Sequence, residues 1–553
     1  MFLNEATDYD SVTASFDWDA LRAECDWDAE TALNFAHEST DRHADDGDTL
    51  AILWLGADGE ERRLTYADLR RRSNEVANLL TGLGVERGDR VITYLPRIPE
   101  HYFTILGTLK TGAIFGAINE RYGPDGIEHR VADSRAGTVV TTAANRDTVA
   151  NAVSDVDTVE NVVVIDRGGG RLRDGDVDYD EGVADAAPTF ETVRTAPDDP
   201  AFLYYTSGTT GPAKGVVHSH DFTVGNASFA KLPAGLRAGD LYWCTADPGW
   251  LTGLNPFGAL FWGVPFVVYE GEFDAAAWVD ILDEHPITVL FSVPTAYRML
   301  WKQADLLEGR DLDLRTLLSV GEPLNAPVVE WARERFGTPI LDTYGCSEMY
   351  GTVVANYPFD SWVVKPGSMG KPYPGIETKL VEPGTLEPVE RGETGEIAIR
   401  TFPSTFLEYW ERPEKTAESR IDDWVLTDDL AREDEDGYYW FEGRADDVIL
   451  SAGYRIGPFD VESKLVEHDA VMEAAVVGVP DDERGERVKA FVVPADDAAA
   501  TGETREAIKG FVRDRLSAHE YPREIEFVDD LPKTVTGKIR RTELRDGHED
   551  DRN

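Results

Sequence analysis

The chain has 553 residues, more than one hydrophobic core usually supports, so about two to four domains or subdomains are expected. Its 104 Asp and Glu residues outnumber 54 Lys and Arg residues and give a formal net charge of -50. A surface this acidic repels nucleic acids and anionic membranes, so neither is an expected partner. The acids are spread along the whole chain, which favours a protein kept soluble in concentrated salt, as in a halophilic cytoplasm.

The cysteines and the apolar runs indicate the compartment. Cys25, Cys244 and Cys346 are too few and too scattered for a disulfide framework, and no pair has metal-ligand spacing. The start, MFLNEATDYDSV, lacks the basic and apolar regions of a signal peptide. The longest apolar run, around residues 254–269, is interrupted by Gly and Pro and falls short of the roughly 20 residues that a membrane helix needs. A cytoplasmic protein in a reducing compartment is predicted.

Helix-like and strand-like segments alternate from the N-terminal region onward. Thr65 can cap a helix with Asp68 at the third helical position, and apolar residues then recur at helical spacing. The segment VITYL at 91–95 follows as a strand. The alternation recurs through 271–343, where Gly and Pro separate the segments AAAWVDILDEH, TVLFSVP and VVEWARERFG. This rhythm favours mostly parallel sheets covered by helices.

Composition changes at two further places. Residues 166–200 are polar and rich in Gly and Asp, which predicts a surface hairpin and linker. Beyond about residue 445, the strand-like AAVVGVP and VKAFVVP and the helix-like REAIKGFVRDRL predict a small α+β domain. The expected fold class is therefore α/β, with a large N-terminal domain over 1–445 and a small C-terminal domain over 446–553.

The stretch YYTSGTTGPAKG at 204–215 follows an apolar run and offers closely spaced backbone N–H groups, hydroxyls and one ammonium. Glycine lets such a backbone approach an anion closely, so the stretch predicts a phosphate-binding loop. It is not a Walker motif, because Ala213 occupies the position of the second glycine and Gly215 follows Lys214. The alternative, a flexible surface loop, is disfavoured because ordering so many small residues without a ligand is entropically costly.

This loop resembles the signature of the adenylate-forming superfamily, which comprises acyl-CoA synthetases, firefly luciferase and nonribosomal peptide adenylation domains. Four further stretches agree in the expected order: SVGEPLN at 319–325, DTYGCSEMYG at 342–351, WVLTDDLAREDEDGYYWFEGRADDVILSAGYRIGP at 424–458, and LPKTVTGKIRRTELRD at 531–546. The match covers nearly the whole chain. It looks closest to the medium-chain acyl-CoA synthetases, with the acetyl-CoA synthetases next.

The resemblance implies ligation of a short- to medium-chain carboxylic acid to coenzyme A. A carboxylate is a poor electrophile, so it first attacks the α-phosphate of ATP to give an acyl-adenylate and pyrophosphate, and the CoA thiol then displaces AMP. The negative charge of the first step must be met by Mg²⁺, Lys and backbone donors placed in advance. ATP, Mg²⁺, CoA and a small acid are the implied ligands, and a homo-oligomer is compatible with the family.

The resemblance also assigns nucleotide-binding residues. The phosphate cradle comprises Thr206, Ser207, Gly208, Thr209, Thr210, Gly211 and Lys214, and the adenine slot comprises Gly321, Glu322, Pro323, Asp342, Thr343 and Tyr344. Glu348 would hold Mg²⁺, Ser347 would bond the α-phosphate, and Arg444 and Arg455 would contact ribose and phosphates. Asp429 suits the ribose because an ionised carboxylate accepts two hydrogen bonds from a diol. Asp428 stands where the family usually has Gly, so the sequence leaves open which of the two acids corresponds to the family's ribose-binding residue.

The C-terminal motifs supply the remaining groups. Lys538 is the expected catalytic lysine of adenylation, acting with Thr206 and Glu348, and Asp446 matches the hinge about which a mobile C-terminal domain rotates. After that rotation, the residues expected to face CoA are Ala452, Gly453, Tyr454, Arg484 and Arg513.

The acyl pocket is the least constrained part of the site. Acetate-specific relatives carry a Trp at the position of Gly345, so a deeper pocket is expected here unless Trp250 fills it from another side. An acetate-specific enzyme therefore stays an alternative. So do an adenylating domain for a non-CoA acceptor and a noncatalytic nucleotide sensor on the same fold. Absence of carboxylate-dependent pyrophosphate exchange would favour the sensor.

Overall fold

The computed structural model describes residues 8–45, 47–168, 172–206, 213–349, 351–445, 447, 449–451, 454–481, 484–495, 498–516, 521–533 and 539–550. The strands, in chain order, are β1 (Leu50–Leu55), β2 (Glu61–Thr65), β3 (Arg90–Tyr94), β4 (Ile114–Ala117), β5 (Thr138–Thr142), β6 (Asn161–Ile165), β7 (Val177–Asp178), β8 (Pro200–Thr206), β9 (Lys214–Ser219), β10 (Tyr242–Cys244), β11 (Phe266–Tyr269), β12 (Val289–Ser292), β13 (Thr316–Val320), β14 (Ile340–Tyr344), β15 (Val354–Ala355), β16 (Lys371–Pro372), β17 (Thr378–Val381), β18 (Thr394–Arg400), β19 (Glu408–Tyr409), β20 (Arg420–Ile421), β21 (Trp424–Glu433), β22 (Tyr439–Arg444), β23 (Ile449–Ser451), β24 (Tyr454–Ile456), β25 (Val471–Asp481), β26 (Gly485–Pro494) and β27 (Glu524–Phe527).

The α-helices are α1 (Tyr9–Ser15), α2 (Trp18–Arg22), α3 (Phe35–Ser39), α4 (Tyr66–Gly82), α5 (Pro99–Lys110), α6 (Pro124–Ser134), α7 (Arg146–Ala152), α8 (Tyr179–Asp185), α9 (Phe222–Lys231), α10 (Pro256–Phe261), α11 (Ala275–Glu284), α12 (Pro294–Lys302), α13 (Ala326–Phe336), α14 (Pro413–Glu418), α15 (Pro458–Val466), α16 (Gly502–Arg513) and α17 (Arg541–Asp550). No helix within the described ranges combines the length and the apolar character needed to cross a bilayer.

Two large sheets form the N-terminal part of the molecule. The first has the order β16-β15-β14-β13-β12-β10-β11-β1-β2, and the second has the order β19-β9-β8-β4-β3-β5-β6-β7. The central strands of both sheets pair in parallel, whereas β2, β9, β15, β16 and β19 add antiparallel edges. Phe115 and Phe202 of the second sheet join Phe266 and Leu318 of the first in one buried cluster. The expected helix-covered, mostly parallel architecture is confirmed.

Two smaller sheets follow. One has the order β17-β18-β21-β20, with β22 also paired to β21. The last, in the C-terminal part, has the order β24-β23-β26-β25, with β27 on β26. Successive strand residues face opposite sides of a sheet. Val476 accordingly packs in a cluster with α15 and α16, and Val477 packs in a second cluster with Leu544 of α17. This sheet therefore has its own two-sided core, as the predicted α+β organisation requires.

Several local predictions are confirmed. Thr65 caps α4, and its hydroxyl and backbone N–H exchange hydrogen bonds with Asp68 in a capping box. The strand expected at 91–95 is β3, and the three segments expected within 271–343 are α11, β12 and α13.

The prediction for residues 166–200 is partly wrong. Instead of a hairpin, the described part of this segment forms β7, parallel to β6, and the helix α8. Asp178 caps α8 by accepting a hydrogen bond from the Glu181 N–H, while Tyr179 and Val183 are buried in the core shared by the large sheets. Burial of these two apolar residues and the pairing of β7 with β6 hold the segment on the core.

Candidate active site

A cavity of about 2100 Å³ opens where β13 and β14 end and is lined by residues from both the N-terminal and C-terminal parts. Ligand pockets usually measure about 300–1,000 Å³, so this cavity has room for a nucleotide together with a second substrate. Ligands of open α/β sheets bind outside the carboxyl ends of parallel strands. The cavity therefore lies where such a fold places a site.

The predicted phosphate loop begins and ends at this cavity. Thr206 and Lys214 face each other in register across β8 and β9, and both line the cavity. The residues between them that were assigned to phosphate, Ser207, Gly208, Thr209, Thr210 and Gly211, lie outside the described residues. The carbonyl of Ala213 accepts a hydrogen bond of 2.9 Å from His129 Nε2, which fixes one end of the loop to α6.

Glu348 and Ser347 lie in the 3₁₀ turn Ser347–Met349, directly after β14. The turn is held from one side by His218, whose Nε2 donates to the Ser347 carbonyl at 2.7 Å. From the other side, the Phe406 N–H donates to the Glu348 carbonyl at 2.8 Å. Burial lowers the pKa of His218 to about 4, so this imidazole is neutral near pH 7 and acts as a fixed donor.

The side chain of Tyr409 lies between Glu348 and Lys214, which stands at the end of the predicted phosphate loop. The Tyr409 hydroxyl donates to the Glu348 carboxylate at 2.8 Å, and Lys214 Nζ lies 4.8 Å from the centre of the Tyr409 ring. Across the described residues, no group of three or more His, Cys, Asp or Glu side chains is arranged to hold a metal ion. Mg²⁺ is usually held by one or two carboxylates together with substrate phosphates rather than by an all-protein cage. A single carboxylate beside a phosphate loop fits that ion.

The residues of the predicted adenine slot lie at and after the ends of β13 and β14, and all of them line the cavity: Gly321, Glu322, Pro323, Asp342, Thr343 and Tyr344. Gly321 turns the chain at a φ of 90°, which favours glycine. Asp342 is buried, its Oδ1 has no hydrogen-bond partner among the described residues, and burial raises the pKa of its carboxyl well above the usual range. An orphaned polar atom costs about 1–3 kcal/mol, so a polar group of a ligand at this point would be favoured.

The predicted ribose pair is brought together by strand register. Asp429 of β21 lies opposite Arg444 of β22, and Arg444 Nη1 donates to Asp429 Oδ1 at 3.2 Å. The Tyr344 hydroxyl donates to Asp429 Oδ2 at 2.7 Å, and burial together with the Asp429 charge raises the pKa of Tyr344 far above its usual value. The side chain of Asp429 is 11% exposed, whereas that of Asp428 is 75% exposed. Because its side chain is buried and held by Tyr344 and Arg444, Asp429 is the acid of this pair that the geometry favours for the predicted ribose contact.

Comparison with known proteins gives the family. The family model described as AMP-binding enzyme matches residues 40–410, and the model described as AMP-binding enzyme C-terminal domain matches residues 460–538. The chain belongs to the AMP-binding enzyme family. The first match contains both large sheets, and the second contains β25, β26 and β27 of the C-terminal sheet.

Relatives of this AMP-binding enzyme match it over nearly their full length. An acetyl-coenzyme A synthetase of Bacillus subtilis is 39% identical over 525 residues, which are 93% of this chain and 90% of that protein. The mouse mitochondrial acyl-coenzyme A synthetase ACSM3 is 36% identical over 90% of this chain and 86% of its own length. The crystal structure of a Brucella canis acyl-CoA synthetase is 38% identical, with a TM-score of 0.76 over 99% of this chain and 100% of that one.

The C-terminal motifs of this AMP-binding enzyme are described only in part. Lys538, Asp446, Ala452 and Gly453 lie outside the described residues, as do the side chains of Tyr454 and Arg455, whose backbone forms β24. The ends of the loop that carries Lys538 are described. Lys533 and Ile539 form a β-bridge, the Arg540 N–H donates to the Pro532 carbonyl at 2.8 Å, and Lys533, Ile539 and Arg540 line the cavity.

The two arginines assigned to CoA phosphates lie elsewhere. Arg484 Nη1 is 3.7 Å from the Asp481 carboxylate, and Arg513 Nε is 3.5 Å from that of Asp514. Neither arginine is among the residues that line the cavity. Their assignment to CoA stays a prediction.

Trp250 and Gly345, assigned to the acyl pocket, both line the cavity. The Trp250 ring lies 5.8 Å, centre to centre, from the ring of Tyr122. A Cβ placed on Gly345 would lie 2.1 Å from the carbonyl oxygen of Gly351. Glycine is thus required by a close approach of two backbones, so its presence does not by itself indicate a deep pocket.

Replacing Gly345 by alanine is expected to lower kcat/KM by about tenfold to a hundredfold, because the segment that carries Glu348 must move away from the added methyl group. Gly82→Ala is the matched control, since nothing lies within 4 Å of a Cβ at that position. Steady-state kinetics of both variants check the expectation. Wild-type kcat/KM for Gly345→Ala would show that the two backbones can separate freely.

Two cavity-lining residues, Tyr409 and Arg298, lie outside every motif that the sequence analysis identified. Tyr409 reaches the site because β19 pairs with β9, about 190 residues earlier in the chain. Arg298 Nη2 donates to the Glu322 carboxylate at 2.9 Å. This carboxylate also accepts a hydrogen bond from the Thr295 hydroxyl at 2.6 Å. Two residues of α12 thus bond to Glu322, the acid that is expected to lie along adenine.

Proposed function

We propose that this AMP-binding enzyme joins a short- to medium-chain carboxylic acid to coenzyme A through an acyl-adenylate, with release of AMP and pyrophosphate. The observation that carries the proposal is the convergence on one cavity of Lys214, Glu348, Asp342, Asp429 and the base of the loop that bears Lys538. Relatives named acetyl- and acyl-coenzyme A synthetases support the same chemistry.

ATP would bind with its adenine between the ends of β13 and β14, where Asp342 Oδ1 can meet the exocyclic amino group. The ribose hydroxyls would donate to Asp429, which Tyr344 and Arg444 hold in place. Thr206 and Lys214 would hold the β- and γ-phosphates, and Ser347 the α-phosphate. Glu348 would hold Mg²⁺, which supplies positive charge to the phosphate oxygens when bound.

The carboxylate of the acid then attacks the α-phosphorus, a P–O bond to pyrophosphate breaks, and both electrons of that bond leave with pyrophosphate. Charge builds up between two anions in this step, so preorganised cations stabilise the transition state most. We assign Lys538 to this role. Support comes from the ends of its loop, since Lys533 and Ile539 line the same cavity as Glu348 and Asp429.

In the second step, the CoA thiol attacks the acyl carbon and AMP leaves. We place the domain boundary between residues 445 and 446, with Asp446 as the hinge of a mobile C-terminal domain. Rotation about this hinge would replace the Lys538 loop at the cavity by Ala452, Gly453 and Tyr454, and Arg484 and Arg513 would meet the CoA phosphates. The ends of the Lys538 loop, Lys533 and Ile539, line the cavity in this arrangement, and this is the arrangement that would suit adenylation.

The acid is proposed to have between about four and eight carbons, because the cavity of about 2100 Å³ has room for an acyl chain beside a nucleotide and each methylene buried there would contribute about 0.8 kcal/mol to binding. Acetate is the second candidate, because Trp250 lines the cavity and the Bacillus subtilis relative is named an acetyl-coenzyme A synthetase. CoA-dependent AMP release, measured over acids of two to twelve carbons, separates the two. AMP release that needs the acid but not CoA would indicate a different acceptor.

We further propose that the enzyme works in the salt-rich cytoplasm of a halophile, on the strength of its net charge of -50. Raising salt from about 0.1 M to about 1 M shortens the screening length from about 10 Å to about 3 Å, which weakens repulsion among surface carboxylates. The midpoint of thermal unfolding is therefore expected to rise by several degrees with KCl. Calorimetry over this range checks the expectation, and a midpoint that falls or stays constant contradicts it.

A further inference from the structure

A chain of polar contacts leads from the adenine slot to the C-terminal part of the molecule. It starts at Glu322, whose carboxylate accepts from Arg298 Nη2 at 2.9 Å. Arg298 Nη1 donates to Asn325 Oδ1 at 3.4 Å, and Asn325 Nδ2 donates to the Ser463 hydroxyl of α15 at 3.2 Å. Asn325 thus bridges a wall of the nucleotide cavity and the domain that carries Lys538.

Asn325 occupies the N-cap of α13, where an Asn side chain normally accepts a hydrogen bond from the first turn of its helix. Here the side chain makes no such capping bond, although all of α13 is described. Its amide oxygen instead faces Arg298, and its amide nitrogen faces Ser463. The residue is diverted from its local role to a contact between two parts of the chain.

The neighbouring residue of α15 carries the contact onward. Glu462, next to Ser463, accepts two hydrogen bonds of 2.9 Å from Arg541 Nη2. Arg541 Nη1 also donates to Asp447 at 3.3 Å, and Arg541 follows Lys538 by three residues. The helix α15 therefore contacts the adenine slot through Ser463. It contacts the end of the catalytic-lysine loop through Glu462.

We propose that Asn325 and Ser463 are positioning residues that form a latch for the adenylation arrangement of the two domains. The latch holds α15, and with it Arg541 and the adjoining loop, in register with the nucleotide. A single neutral hydrogen bond shifts an equilibrium by only about two- to tenfold, so the latch can open in every catalytic cycle. This inference rests on the proposed two-step function.

The test separates the two half-reactions in Asn325→Ala, Ser463→Ala and the double variant. The acid with the highest wild-type rate is used, with carboxylate-dependent pyrophosphate exchange for the first step and CoA-dependent consumption of its synthetic acyl-AMP for the second. Each single variant is expected to lose about fivefold in exchange and to keep the wild-type rate of the second step. Because the Ser463 hydroxyl acts through its bond with Asn325, the double variant should lose no more than Asn325→Ala alone.

Lys464→Ala is the matched control, since Lys464 lies on the same helix and its Nζ pairs at 2.6 Å with Glu467, the C-cap of that helix. Its rates should equal those of the wild type in both steps. Equal losses in both half-reactions, additive losses in the double variant, or wild-type exchange in Ser463→Ala would each overturn the latch. If the wild type shows no carboxylate-dependent exchange with any acid, the proposed function fails instead, and the two failures are distinct.

Discussion

Replacing Lys538 by alanine is expected to lower the rate of acyl-adenylate formation by about 10²- to 10³-fold. The ammonium is proposed to meet the charge that develops between the attacking carboxylate and the α-phosphate, and no other lysine is assigned to that point. Thioester formation from supplied acyl-AMP should remain largely intact, because the proposed domain rotation removes the lysine from the cavity before that step. Pyrophosphate exchange and CoA-dependent consumption of synthetic acyl-AMP measure the two rates separately.

Lys533→Ala is the control for this variant. Lys533 lies in the same motif, but its Nζ is paired with the Glu473 carboxylate at 2.6 Å. The substitution removes one cation from the same loop and should change exchange by much less than Lys538→Ala. Pyrophosphate exchange that survives in Lys538→Ala would show that another group stabilises the transfer.

Replacing Asp429 by asparagine is expected to lower kcat/KM for ATP by about a hundredfold. Two hydrogen bonds from the ribose to an ionised acceptor, at about 1.5–3 kcal/mol each, would be weakened together. The substitution also leaves Arg444 without the carboxylate that it contacts at 3.2 Å. Initial rates over a range of ATP concentrations test this, with the larger change expected in KM.

The chain offers a matched control one residue away. Asp428 carries the same charge, but its side chain is largely exposed and its carboxylate lies 3.6 Å from Arg444 Nη2. Asp428→Asn should leave KM for ATP within about twofold of the wild type, in line with the small contribution of exposed ion pairs. The reverse pattern, with Asp428→Asn impaired and Asp429→Asn normal, would show that Asp428 rather than Asp429 contacts the ribose.

Local signals in the sequence were sufficient for much of the fold. The capping box of Thr65 and Asp68, followed by helical spacing of apolar residues, predicted α4 because both features depend on neighbours within a few residues. The same holds for β3, α11 and α13. The helix α8 was missed because its composition is that of a loop, and Tyr179 and Val183 are buried only through packing against distant parts of the chain.

The residues of the candidate site likewise fall into two groups: those that a motif identifies and those that reach the site through contacts distant in sequence. Asp429 and Arg444 could be named because the stretch 424–458 resembles a family motif, and the pairing of β21 with β22 brings the two residues together. Tyr409 could not, because its approach to Glu348 depends on the pairing of β19 with β9 across the second sheet. The tight contact at Gly345 with Gly351 was also invisible, since a close approach of two backbones leaves no mark in residue type beyond the glycine itself.

The most direct test of the proposed function is ATP–pyrophosphate exchange without CoA, measured with the purified full chain in high salt over the panel of acids. The acyl-adenylate mechanism predicts exchange that requires both a carboxylic acid and Mg²⁺, followed by release of AMP only when CoA is added. ATP turnover to ADP and phosphate, or the absence of acid-dependent exchange with every acid of the panel, would contradict it.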